Sequence, residues 1–200
     1  MYGQIISIRL SLLATIVLVL TGCSPSSSQD SGALTLASKL TETQARQKAR
    51  AIEAQTHLLR ALQKELQQAI SDPAEAISVC KKRGDSLARS IGQEMGVRIG
   101  RTSTKIRNLN NVPPLWAKAL VDEKHEHEMV VALPNNGLGF LSPIMTKSIC
   151  INCHGEENQI EADVFAEILS AYPDDAAIGF AVGEVRGYVW VEVPPVEQQK

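Results

Sequence analysis

Apolar positions change their spacing several times along this chain, and each change marks an element. Leu10 to Leu20 is a nearly continuous apolar run with Arg9 before it. It is too short to span a bilayer comfortably and is laid out like an export signal. From about Leu36 to Ile70 there is no Pro or Gly, and Ile52, Leu59, Leu62, Leu66 and Ile70 recur at helical spacing. One long amphipathic helix, broken at most once, is predicted there. Asp72-Pro73-Ala74-Glu75 supplies an N-cap, a Pro at the first helical position and a reciprocal acid. A second helix is therefore predicted over 73–91, with Ile77, Cys80, Gly84, Leu87 and Ile91 facing inward and Gly92 and Gly96 ending it.

Beyond Gly96 the pattern turns extended. Val97 to Asn108 alternates, with Val97, Ile99 and Ile106 separated by Arg and Thr. Pro113-Pro114 opens a short helix running to about Glu126. Met129–Leu133 and Leu138–Leu141 read as strands joined across Asn136-Gly137, a strong hairpin signal. A helix is predicted over 162–171, and Gly179–Val182 with Gly187–Val193 reads as a second hairpin. Helices first and antiparallel strands later predict an α+β domain.

Composition narrows the class. The 200 residues are 44% hydrophobic and 21% charged, which excludes a collagen-like or mainly disordered chain and a disulfide-stapled miniprotein. A net charge of −2 gives no general attraction to nucleic acid. Aromatic residues are few, at 4%.

The four cysteines carry the chemistry. Leu20-Thr21-Gly22-Cys23 resembles a bacterial lipobox, in which the cysteine thiol is acylated and becomes the new N-terminus. Residues 1–22 are then a lipoprotein signal peptide and Cys23 the lipidation site. An uncleaved anchor and an ordinary signal peptide are the competing readings. Ser24 in place of an Asp favours an outer-membrane anchor, on the periplasmic side, in a cell with two membranes. The Ser-rich stretch after Cys23 reads as a flexible tether over 23–35, and residues 36–200 form the domain.

Cys150-Ile151-Asn152-Cys153-His154 is the C-x-x-C-H signature of c-type haem attachment. Two thiols spaced by two residues reach both haem vinyl groups, and the adjacent imidazole lies beneath the iron. A thioredoxin-like redox motif would follow a strand in βαβ units, and a zinc site would want a second ligand pair; neither pattern is present. For the other side of the iron the candidates are His57, His125, His127, Met95, Met129, Met145 and Cys80. Small Met-ligated cytochromes carry the motif early, and helical-bundle cytochromes lack hairpins, so neither class fits. Arg98, Arg101, Lys105 and Arg107 suit haem propionates, with a solvated strand face as the alternative. Trp116 and Trp190 read as core or pocket walls.

Four segments occur in a recognisable order: Arg101-Thr102-Ser103-Thr104-Lys105-Ile106-Arg107-Asn108, Cys150 to Gly155, Tyr172-Pro173-Asp174-Asp175-Ala176-Ala177-Ile178-Gly179, and Gly183-Glu184-Val185-Arg186-Gly187. Together they resemble a family of bacterial single-haem c-type domains with a PAS-like fold, long catalogued as a domain of unknown function. The resemblance covers about residues 36–193 and departs at Leu109, where the family has Pro. It implies a PAS-like antiparallel sheet, one covalent haem c, and His/Cys ligation with the thiolate on a Val-Cys helix. Val79-Cys80 is the matching position. On the residues alone, Cys80 reads equally as a small buried hydrophobe; the resemblance implies that it joins His154 on the iron.

A thiolate ligand favours ferric iron, and its ferrous bond yields to a diatomic gas or a proton. The expected protein is a lipid-anchored, exported redox or gas sensor rather than an enzyme, working through a separate partner protein. Electron transfer between exported redox proteins is the alternative, and peroxide or nitrogen-oxide reduction the least favoured. The long first helix could also serve a homodimer.

Overall fold

The computed structural model describes residues 34–35 and 40–195; the proposed signal peptide, Cys23 and most of the proposed tether lie outside them. Five strands form one antiparallel sheet: β1 (Leu34–Thr35), β2 (Arg98–Thr102), β3 (Met129–Leu133), β4 (Gly137–Met145) and β5 (Val185–Val193). Their spatial order is β1-β3-β4-β5-β2, and β4 and β5 pair along nearly their whole lengths. The α+β reading, with an antiparallel sheet and long N-terminal helices, holds. No helix among the described residues is long and apolar enough to cross a membrane.

Helix α1 (Glu42–Ala69) runs unbroken for 28 residues behind a capping box in which the Thr41 side chain accepts from the Gln44 amide. Its buried stripe differs from the predicted one. Ala51, Ala54, Leu58 and Leu62 face the core, while Ile52 and Ile70 are exposed. The large aliphatic residues mislead here because alanines let the helix lie close against the sheet, where Leu58 packs with Phe140, Val189 and Val191. Buried Gln47 on the same helix donates to the carbonyls of Asn136 and Pro194, tying a turn and the end of β5 to α1.

The second helix is longer than predicted and is not regular. After α2 (Pro73–Ser78) the backbone widens into a π-helical turn, Val79–Arg83, before resuming as α3 (Gly84–Met95). A π turn inserts extra backbone and rotates the downstream face, so one apolar stripe cannot describe both halves. Cys80 lies in that turn and is half-buried. Gly92 sits inside α3, and the stop is Gly96, whose φ of 60° is the left-handed C-cap conformation that favours glycine.

Two turn assignments shift. Leu133 pairs with Gly137, so the β3–β4 turn centres on Asn135 and Asn136, both at positive φ. Asn tolerates that conformation, which leaves Gly137 free to enter β4. The predicted hairpin at 179–193 is absent: β5 is a single central strand between β4 and β2, and the chain before it forms a loop. Helix α4 (Leu115–Asp122) packs on the opposite sheet face with Val131, Leu141 and Tyr188, and ends before the predicted Glu126. A one-turn helix α5 (Ile151–His154) and helix α6 (Ala162–Ala171), at its predicted bounds, follow β4.

Leu58 is fully buried, so truncating it removes packing from the helix–sheet layer. Leu58→Ala is expected to cost about 2–5 kcal/mol, read as a lowered urea midpoint with unchanged slope.

Candidate functional site

The site lies where β2 ends and β5 begins, between the π turn and α5. Cys150, Cys153 and His154 come together because a 3-10 turn (Ser148–Cys150) runs directly into α5. Gly155 must follow. A Cβ there would stand 2.8 Å from the Ile151 carbonyl oxygen and 2.5 Å from its Cγ2.

The loop of residues 176–181 wraps the histidine. His154 Nδ1 lies 2.7 Å from the Ala177 carbonyl oxygen, while the Phe180 amide donates to the His154 carbonyl and the Gly179 amide to that of Gly155. A carbonyl can only accept, so Nδ1 carries the proton and Nε2 presents its lone pair. Burial holds the imidazole well below its ordinary pKa, with Arg186 and Arg107 adding to the effect and the Ala177 bond opposing it. The ring is therefore a neutral base aimed into the site.

Beneath the loop is a buried ion pair. Arg107 and Asp175 side chains are 8% and 1% exposed. Arg107 Nε and Nη2 donate to Asp175 Oδ1 and Oδ2 at 3.0 and 2.8 Å, and Nη2 also reaches the Cys153 carbonyl at 2.7 Å. Asp175 Oδ1 additionally accepts from the Ala177 amide. One pair thus joins the 103–108 segment, the turn carrying Cys153 and the histidine-anchoring loop.

The predicted site residues divide. Cys80 lies in the π turn near the cluster, and burial pushes the Cys153 thiol up, with Arg107 opposing and the neighbouring Cys80 and Cys150 adding. Tyr172 is pushed up to about 12 by burial and by Cys80, against Arg107 and Arg101. Arg101 reaches over the same turn, donating to the Cys80 carbonyl at 3.4 Å with Asp85 3.9 Å away. Lys105 donates to the carbonyls of Ile178 and Gly179, and Arg107 is committed to Asp175. Arg98 pairs with Glu192 beside Trp190, away from the histidine. Trp116 donates to the same Glu192 and packs with Trp190 against the α4 face, so neither tryptophan walls the site. His125 pairs with Glu123 on the surface.

One residue escaped the sequence reading. Arg186, at the start of β5, places Nη2 3.4 Å from His154 Nε2 and lies over the Phe180 ring at 4.9 Å. Its position in Gly183–Gly187 was visible, but only the fold turns it inward.

The fold and the site define an α+β domain that presents a C-x-x-C-H turn to a cationic sheet end and a second cysteine across from it. The chain belongs to the Tll0287-like family, whose profile matches residues 38–194. The resemblance carried by the four ordered segments is borne out. A similar solved structure is that of the cyanobacterial heme-protein Tll0287, 24% identical, covering 70% of this chain and 94% of that one at a TM-score of 0.47. No curated protein matches the chain.

Removing half of a buried pair leaves the other charge without its partner. Asp175→Asn is expected to cost about 3–5 kcal/mol in urea unfolding, with R107M/D175L less damaging than the single change. Equal losses in both variants would show that the ionic contact is unimportant.

Proposed function

We propose that this chain is a haem protein: an exported, lipid-anchored domain with one covalent haem c, acting as a redox or diatomic-gas sensor. The observation that carries the proposal is the His154 imidazole, neutral, with its proton fixed on Nδ1 by Ala177, so that Nε2, which meets only the Arg186 guanidinium, carries the lone pair a metal would take. The donor set fits the group. Cys150 and Cys153 are unpaired thiols on the adjoining turn, placed for two thioether bonds, and Cys80 supplies a soft ligand from the facing helix. Arg101 and Arg186 offer positive charge for the propionates. A haem iron, when bound, supplies a one-electron couple and a coordination position that a gas can take.

The chain's own residues then have distinct tasks. Ala177 fixes the imidazole tautomer, Arg107 and Asp175 hold the attachment turn, and the π turn presents Cys80. A thiolate on that turn favours the ferric state and is the ligand most readily exchanged. Such exchange suits sensing, and the signal would pass to a separate partner protein, with no enzymatic step. Cys23 would hold the domain to the periplasmic side of the membrane through its lipid.

Electron transfer is the second reading. The attachment turn is not sealed from solvent, since Ile149 beside Cys150 is 57% exposed, and an exposed haem edge is what a redox partner needs.

Exported protein is expected to keep haem on a denaturing gel and to show a c-type reduced spectrum; a colourless band would overturn the reading. Cys80→Ser is expected to change the ferric absorption and low-spin EPR spectra, and unchanged spectra would remove Cys80 from the iron. Gas binding with loss of the thiolate signature would support sensing, whereas fast redox cycling without gas binding would support electron transfer.

A further inference from the structure

Arg186 is a half-buried cation for which the described residues provide no acid. It makes no ion pair among the described residues, and its Nε is buried without a hydrogen-bond partner. Its other contacts are the Ser103 hydroxyl at 3.3 Å, the Phe180 face and His154 Nε2 at 3.4 Å. Arg101 and Arg107 face it with like charge, and only Cys80 and the already paired Asp175 oppose them. A half-buried guanidinium whose Nε is sealed off without an acceptor is a receptor for a planar carboxylate, which takes two parallel N–H bonds from it.

We propose that Arg186 is the principal carboxylate-binding residue of this site, that it takes a propionate of the bound haem, and that Arg101 supplies the supporting charge. The inference rests on the haem reading above. It also couples two events. The lone pair that Arg186 contacts is the one His154 needs for the iron, so moving the guanidinium to a carboxylate frees the imidazole. Arg107 is the poorer candidate, since Asp175 takes its Nε and Nη2 edge and its charge is already paired.

The test uses the exported haem-loaded chain and its Arg186→Gln, Arg186→Lys and Arg101→Gln variants, read by resonance Raman propionate bending modes and by midpoint potential. R186Q is expected to shift a propionate bending mode and lower the potential, with R186K restoring much of both and R101Q changing them less. Covalent haem with propionate modes and potential unchanged in R186Q would overturn the assignment while leaving the haem reading intact. A saturable response of the wild-type potential to added acetate, lost in R186Q, would show that a free carboxylate occupies the residue and would also overturn it. No covalent haem in the wild-type chain would remove the parent reading and this one together.

Discussion

The Arg107–Asp175 pair is the contact on which the arrangement of this site depends. Three segments far apart in sequence meet at it: the strand extension at 103–108, the turn carrying Cys153, and the loop that anchors His154. Each would otherwise be a surface connection with little apolar area to hold it. Burying two charges is costly in itself, and the cost is offset only when the remaining donors and acceptors are also satisfied. Here they are, by the Cys153 carbonyl and the Ala177 amide. The pair therefore contributes less through attraction than through excluding other positions for the loop.

That fixed loop has a chemical consequence. The Ala177 carbonyl accepts from His154 Nδ1 because Asp175, two residues earlier, holds the turn in place. Tautomer, ring orientation and basicity of the imidazole thus follow from an ion pair that never touches it. The surrounding cations work against that bond's effect on basicity and, together with burial, keep the ring neutral. Cys80 likewise sits on irregular backbone, the π turn, held by regular helix at both ends.

The two sheet faces divide the labour. One carries the aliphatic layer under α1, with small residues at the contact so that helix and sheet approach closely. The other carries Tyr188, Trp190 and Trp116 beneath α4. The aromatic residues thus divide, with Tyr188, Trp190 and Trp116 under α4 and Phe180, Tyr172 and Phe165 on the side of His154 and Cys153.

Much of this was legible from residues alone. The capping signals at Asp72-Pro73, the bounds of α6, the change from helical to alternating spacing and the C-x-x-C-H turn are all local, set by a few neighbouring side chains acting on their own backbone. The α+β class followed from their order. What local pattern could not decide was phase and pairing. Alanines rather than isoleucines face the core of α1, because the distance to the sheet is a tertiary quantity. A π turn leaves no mark in periodicity until packing rotates the helix beyond it. Arg98, Arg101, Lys105, Arg107 and Arg186 are equivalent cations in the sequence, yet one pairs on the surface, one is locked to Asp175, and one faces His154 (Arg98, Arg107 and Arg186 respectively). Charge identity is a property of the residue, whereas its partner is chosen by the fold, since burial removes the water that would make all five alike.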